Sequence, residues 1–292
     1  MAADVRIENA LESALAHAQG PGCPPQLMAA VRHAVFPGGA RIRPQLCLAV
    51  ARACGDDRPQ LSEAAATAIE LLHCASLVHD DLPCFDDAPV RRGQPSVHSA
   101  FGERLAVLAG DGLIVVAFQV LARAGAQAPD RLVQLLSTIA GSVGMPGGIV
   151  AGQAWECESR VSISQYHREK TGSLFAAATV AGAQAAGGDA ESWRGLGEWL
   201  GEAYQAADDI RDVVADAQQL GKPIGRDAAL GRPSVARERG LPAAMRHFDQ
   251  LVRNAVEAVP ECRGAPMLRA LVRSESERLV PTHLAAPLRA AA

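Results

Sequence analysis

Aromatic residues are scarce in this 292-residue chain, 4% against 49% hydrophobic residues in all. A core of that make-up is built mainly from Ala, Leu and Val, which suits closely packed helices and disfavours a sheet rich in aromatic and β-branched residues. Lysine is scarcer still. Of 28 basic residues only Lys170 and Lys222 are lysines, and a lysine kept among arginines marks a position suited to a compact point charge rather than a planar fork. No basic run accompanies the net charge of -4, which argues against nucleic acid as a partner. The seven cysteines (Cys23, Cys47, Cys54, Cys74, Cys84, Cys157, Cys262) include no Cys-x-x-Cys pair, against both a disulfide framework and a zinc site and in keeping with a reducing cytoplasm. Neither Gly-x-x-x-x-Gly-Lys-Ser/Thr nor Gly-x-Gly-x-x-Gly occurs, excluding P-loop and dinucleotide readings. Asp4, Glu8 and Glu12 stand where a signal peptide places positive charge. The charge-free stretch from Leu132 to Trp155 is interrupted by Gly141, Gly144, Pro146, Gly147 and Gly148, so a buried, broken helix is expected there and no membrane span.

What is present is helical periodicity. It predicts helices over about 4–18, 24–35, 41–54, 61–82, 100–124, 130–142, 147–158, 171–186, 190–217, 233–238, 241–258 and 265–279. Breakers separate them, among them Pro37-Gly38-Gly39, Pro83, Gly93 to Pro95, Gly187-Gly188 and the run from Gly221 to Gly231. No composition shift marks a boundary, and the expectation is an all-α bundle forming a single domain over 1–292.

Two groups of acids stand out against this apolar background. The nearly uncharged segment from Leu71 to His79 ends in Asp80 and Asp81, and Pro83 then stops or kinks the helix so that Asp86 and Asp87 swing back towards the first pair. At a helix C-terminus the macrodipole disfavours negative charge, at a cost of roughly 0.3 kcal/mol or more for each acid. The second group is Asp208, Asp209 and Asp212. On a helix, Asp208 and Asp212 share one face one turn apart, and like charges at that spacing destabilise by about 0.2 to 0.5 kcal/mol. Two self-repelling clusters ask for a divalent cation. Hard oxygen ligands without nearby Cys or a His pair select Mg²⁺, which binds through one or two carboxylates plus substrate phosphates, so the expected substrate is a phosphate ester.

Asp80-Asp81-Leu82-Pro83-Cys84-Phe85-Asp86-Asp87 followed by Arg91-Arg92-Gly93, together with Asp208-Asp209-Ile210-Arg211-Asp212, resembles the two aspartate-rich motifs of the trans-type polyprenyl synthases. Gly38-Gly39-Ala40-Arg41-Ile42-Arg43-Pro44, Lys170-Thr171-Gly172, Gln205 and Gly221-Lys222 follow the same family's order. The match runs over about residues 36–234 and looks nearest to bacterial geranylgeranyl diphosphate synthases of carotenoid pathways. The resemblance implies a helical bundle around a deep central cleft, a homodimer, and three Mg²⁺ ions held by Asp80, Asp81, Asp86, Asp208, Asp209 and Asp212. It implies that Arg91, Lys170 and Lys222 hold an allylic diphosphate and that Arg43, His73 and Arg92 grip isopentenyl diphosphate. Thr171 and Gln205 then stabilise charge near the reacting carbons, in a cavity shielded from water.

The chain departs from that pattern in three places. Ala40 stands where the family usually has Lys, removing one charge-assisted phosphate contact worth about 1.5 to 3 kcal/mol unless Arg41 compensates. The basic positions after Gly221-Lys222 are Arg226 and Arg232, and Glu156 replaces the usual Asp three residues after Gln153. Ala75 and Ser76, five and four residues before Asp80, are small where short-product relatives carry a bulky aromatic, which points to geranylgeranyl rather than farnesyl diphosphate as product. A class I terpene cyclase would share the metal acids but have no need of Arg43, His73 and Arg92. A catalytically silent regulatory subunit has only Ala40 in its favour. The dipeptide His79-Asp80 also invites a metal phosphohydrolase reading, which lacks further His–Asp pairs at suitable spacing.

Overall fold

The computed structural model describes residues 3–36, 38–159, 162–214, 236, 240–281, 285–286 and 288. The fold is all-helical, and the chain divides into two compact units, Met1–Ile139 with Ala181–Gly188, and Ala140–Val180 with Asp189–Ala292.

In the first unit, helices α1 (Ala3–Ala18), α2 (Pro25–Val35), α3 (Ile42–Ala53), α4 (Pro59–Asp80), α5 (Val97–Phe101) and α6 (Glu103–Gly125) surround one another, with the start of α7 (Pro129–Val143) and the end of α10 (Ser173–Ala185). Proline opens α2 and α4, where its missing N–H is one the first turn leaves unused. α4 is the central element. Leu61, Ala65, Ala68, Ile69, Leu71, Leu72, Cys74 and Ala75 are buried around nearly its whole circumference, as expected of a helix packed on all sides, and α1, α2, α3 and α6 lie against it. The helix expected over 100–124 is two helices, because Gly102 takes φ 85 and turns the chain between α5 and α6.

α4 and α6 are each long and apolar enough to cross a membrane, and neither is the charge-free stretch from Leu132 to Trp155. Of the most apolar part of α4, 78% is buried, as in a core helix, against 33% for α6. Val107, Leu108 and Val115 of α6 are exposed. Two short strands, β1 (Val90–Arg91) and β2 (Gln94–Pro95), pair antiparallel with Arg91 opposite Gln94. Their two-residue turn has positive φ at both Arg92 (54) and Gly93 (76), the handedness that matches strand twist.

The second unit contains α8 (Ile149–Ala154), a 3₁₀ turn at Trp155–Cys157, α9 (Ile163–His167), a π-helical turn at Arg168–Gly172, the start of α10, a 3₁₀ turn at Glu191–Trp193, α11 (Arg194–Val214), α12 (Leu241–Glu257) and α13 (Ala265–Leu279). Leu196, Leu200, Ala203, Ala207 and Ile210 form the buried stripe of α11, at helical spacing. α12 packs against α11 and buries Ala244, Met245, Phe248, Leu251 and Ala255. Glycines let α11 close onto the π turn and the start of α10: a Cβ at Gly201 would lie 2.7 Å from the Gly172 Cα, and one at Gly197 2.5 Å from the Phe175 carbonyl oxygen. Lys222, its neighbours Gly221, Arg226 and Arg232, and the helix expected over 233–238 apart from residue 236 fall outside the described residues.

Candidate active site

α4 ends at Asp80, and Asp81 caps it. The chain then folds back as Pro83 requires. The Asp86 N–H donates to the Asp80 carbonyl at 2.9 Å, that of Asp87 to Leu82 at 3.0 Å and that of Ala88 to Asp81 at 3.1 Å. This turn brings a carboxylate oxygen of Asp86 within 4.8 Å of one on Asp80, while Asp87 remains exposed. Asp80 and Asp81 are buried, 8% and 2% exposed. Arg91, delivered by β1, grips Asp81 through Nε at 3.0 Å and through a short contact from Nη2. Burial pushes the Asp81 carboxyl up, and the Arg91 hydrogen bond opposes it.

Four arginines, Arg41, Arg43, Arg91 and Arg92, bring their charge to bear on His73. Arg43 Nη1 lies 3.4 Å from His73 Nε2. Burial, then the charges of Arg43, Arg92, Arg91 and Arg41, hold His73 well below its usual range, so the ring is neutral. Arg92, in the left-handed conformation, lays its guanidinium against Gly39, where a Cβ would sit 2.7 Å from the Arg92 Cζ. Arg41 does not compensate for Ala40. It is 5% exposed and its guanidinium is taken up by Glu8 at 2.8 Å, Glu70 at 2.6 Å and the Val35 carbonyl at 2.8 Å. Ala75 is buried at 1% exposure, and Ser76 is half-buried with its hydroxyl donating to the His73 carbonyl at 2.8 Å.

In the second unit the π turn lifts Lys170 and Thr171 out of regular helical register, a feature that recurs at functional positions. Thr171 Oγ1 donates to Gln205 Oε1 at 3.1 Å, and Gln205 Nε2 donates to Asp209 Oδ1 at 3.1 Å. Arg211 donates to Asp208 Oδ1 at 3.1 Å, offsetting part of the repulsion expected along this face, and Asp209 and Asp212 are buried. Lys170 Nζ donates to Glu156 Oε1 at 2.5 Å. Glu156, in sequence a departure from the family pattern, is thus the partner of Lys170, and Tyr166, which belongs to none of the motifs, donates its hydroxyl to that same oxygen at 2.6 Å. The available signal was spacing, since Tyr166 precedes Lys170 by one helical turn.

In the first unit Asp80 and Asp86, and in the second Asp209 and Asp212, offer carboxylate oxygens with limited exposure to water, and in each unit that donor chemistry fits Mg²⁺ and not a thiophilic metal.

The chain matches the polyprenyl synthetase family over residues 24–265. It is 54% identical to the geranylgeranyl diphosphate synthase of Cereibacter sphaeroides, over 98% of this chain and 99% of that one. It is 49% identical to the enzyme of the same name from Rhodobacter capsulatus, over 96% and 97%. Among solved structures it is similar to a geranyltransferase from Legionella pneumophila, with a TM-score of 0.81, 27% identity and 94% of each chain covered. A Helicobacter pylori geranyltransferase, complexed with magnesium and isoprenyl diphosphate, gives 0.79 at 27% identity, with 94% of this chain and 97% of that one covered. The chain belongs to the polyprenyl synthetase family, and it is a trans-prenyltransferase.

Proposed function

We propose that this enzyme joins isopentenyl diphosphate to an allylic diphosphate and extends the chain to geranylgeranyl diphosphate, as one functional domain and a cytoplasmic homodimer. The observation that carries this reading is the 54% identity, over nearly the whole chain, to a protein bearing that product's name, with every carboxylate of both aspartate-rich motifs retained. The exposed Val107, Leu108 and Val115 on the long apolar helix α6 support a second copy as the cover of that face.

Asp80, Asp81 and Asp86, with Asp208, Asp209 and Asp212, would hold three Mg²⁺ around the allylic diphosphate. Bound there, the ions neutralise charge that builds on pyrophosphate as the allylic C–O bond ionises. Lys170, Arg91 and Lys222 hold the same diphosphate, and Lys170 presents a rotatable ammonium that follows charge as it develops. Arg43, Arg92 and the neutral His73 bind isopentenyl diphosphate; an uncharged imidazole beside two guanidinium groups leaves their attraction for the anion undiminished.

The isopentenyl double bond attacks the allylic carbon, forming the new C–C bond with its π pair. Thr171 fixes the Gln205 amide by a hydrogen bond and so sets the dipole facing the cation. A proton then leaves the carbon next to the new cation for the departing pyrophosphate, restoring a double bond.

The test is incubation of the purified chain with isopentenyl diphosphate and each allylic diphosphate in Mg²⁺, followed by product sizing, with a chelator control. Geranylgeranyl diphosphate as the end product is expected. Farnesyl diphosphate would reassign the product, a cyclic hydrocarbon without isopentenyl uptake would make the chain a cyclase, and inactivity of the chain alone would make it a regulatory subunit.

A further inference from the structure

We propose that Tyr166 is a positioning residue for Lys170, setting where the ammonium stands when the allylic diphosphate arrives. The inference rests on the reading of Lys170 as a diphosphate ligand. Tyr166 lies on α9 and Lys170 one turn further on, in the π turn. The Tyr166 hydroxyl donates to Glu156 Oε1 at 2.6 Å and Lys170 Nζ donates to the same oxygen at 2.5 Å. The Lys170 ammonium also stands 5.7 Å from the centre of the Tyr166 ring, within cation–π range. One side chain thus constrains the lysine twice, through the ring beneath it and through the carboxylate beside it.

The backbone around this trio is close-packed. A Cβ at Gly152 would lie 2.3 Å from the Lys170 amide nitrogen, so α8 is seated directly on the π turn. Glu169, next to Lys170, is 8% exposed and accepts from Trp155 Nε1 at 2.6 Å and from Gln165 Nε2 at 3.0 Å. The base of the lysine is therefore fixed by backbone contact and by its neighbour's hydrogen bonds, and Glu156 and Tyr166 act on its flexible tip.

Chemistry gives the hydroxyl a definite task. An ammonium carries three donors, and one of them is spent on Glu156. Left alone with the lysine, Glu156 would carry its full charge to Nζ and compete with the diphosphate for it. The phenol, 6% exposed at the residue level, donates to the shared oxygen, dilutes that charge and fixes the glutamate's rotamer. The ammonium is then held in place without being claimed outright by Glu156.

The test is steady-state kinetics of Tyr166→Phe, which keeps the ring and removes the hydroxyl. KM for the allylic diphosphate is expected to rise about tenfold, the size of one hydrogen bond to a charged group, with KM for isopentenyl diphosphate within about twofold of the parent value. Glu156→Asp, which draws the carboxylate back by one methylene, gives a rise of the same order, and the double variant loses no more than the larger single loss. Lys170→Ala separates the role of the lysine from that of the tyrosine. If it leaves the allylic KM unchanged, the diphosphate-ligand reading of Lys170 fails. If it raises that KM while Tyr166→Phe does not, or if the losses at 156 and 166 simply add, the positioning role of Tyr166 is overturned. A fall in melting temperature with unchanged KM values overturns it equally, since that is what a merely structural tyrosine produces.

Discussion

Arg43 holds its Nη1 3.4 Å from Nε2 of His73, and the imidazole is neutral because burial and the surrounding guanidinium charges disfavour its protonated form. This pair fixes a pH dependence. In the unfolded chain His73 titrates near its ordinary value of about 6.5. Below that pH the unfolded state takes up a proton that the folded state refuses, so His73 lowers stability as pH falls through 6.5 towards its depressed folded value. Above 6.5 it adds no dependence. One proton is involved, so the slope does not exceed about 1.4 kcal/mol per pH unit. Denaturant titrations at pH 7.5 and 5.5 are expected to show a smaller acid loss for His73→Gln than for the parent. Equal losses in the two proteins would contradict the neutral imidazole.

The Arg41–Glu70 ion pair yields a contrast between neighbours. Both side chains are buried, 3% and 2% exposed, whereas Glu8, the other acid on Arg41, is 40% exposed. Removing one member of a buried pair strands a charge. Glu70→Ala is expected to lose about 3 to 5 kcal/mol, and Glu8→Ala under about 1 kcal/mol. Urea unfolding of the two variants settles the order, and similar losses for both would mean that Arg41 is reached by water.

These residues also show how far the sequence could be read. The turn that returns Asp86 to Asp80 was legible because Pro83 has no N–H and disfavours helix at the residue before it. Helix α13 matches its expected limits, since apolar spacing and the breakers on either side agree. That Arg41 is engaged by Glu8 and Glu70 was not legible, because those partners come from α1 and α4, far from it in sequence. The β1–β2 hairpin is two residues per strand, too short to display alternation. The 3₁₀ and π turns around Glu156 and Lys170 leave no periodic signature either. The trio of Glu156, Tyr166 and Lys170 joins residues 14 apart through such turns, and its traces in the sequence are the substitution at Glu156 and the one-turn spacing of Tyr166 and Lys170.

Ala40 is exposed and Arg41 is fully engaged elsewhere, so the cation missing from this motif is not replaced by its neighbour. Ala40→Lys is expected to lower KM for isopentenyl diphosphate about tenfold, the low end of a charge-assisted contact, with little change for the allylic substrate. Initial rates over a range of each substrate check it. An unchanged KM for isopentenyl diphosphate would place residue 40 away from that anion.

His79 fills a notch in α6 made by Gly110, where a Cβ would lie 2.1 Å from its Nε2 and 2.5 Å from its Cδ2. Gly110→Ala must move the ring, at a cost of about 1 to 3 kcal/mol. His79 directly precedes Asp80, so half-saturation by Mg²⁺ is expected to rise as well. Adding His79→Ala to Gly110→Ala empties the notch and is expected to recover part of the lost stability in thermal melts. If it recovers none, the strain arises elsewhere in the α4–α6 contact.

Product length follows from the face of α4 that carries Asp80. One turn before Asp80 comes Ser76 and two turns before it Leu72, so a hydrocarbon growing away from the diphosphate along this helix meets position 76 first. The Ser76 side chain is small, half-buried and back-bonded to the His73 carbonyl. Ala75 is already buried at 1% exposure, so an aromatic ring there must either enter the hydrocarbon's path or strain the α4 packing. Ser76→Phe is therefore expected to shorten the main product from geranylgeranyl to farnesyl diphosphate at near-parental stability. Ala75→Tyr is expected to shorten it with a loss of about 1 to 3 kcal/mol. Product sizing beside thermal melts distinguishes the two. If Ser76→Phe still makes geranylgeranyl diphosphate as its main product at full turnover, the chain does not elongate along this face of α4.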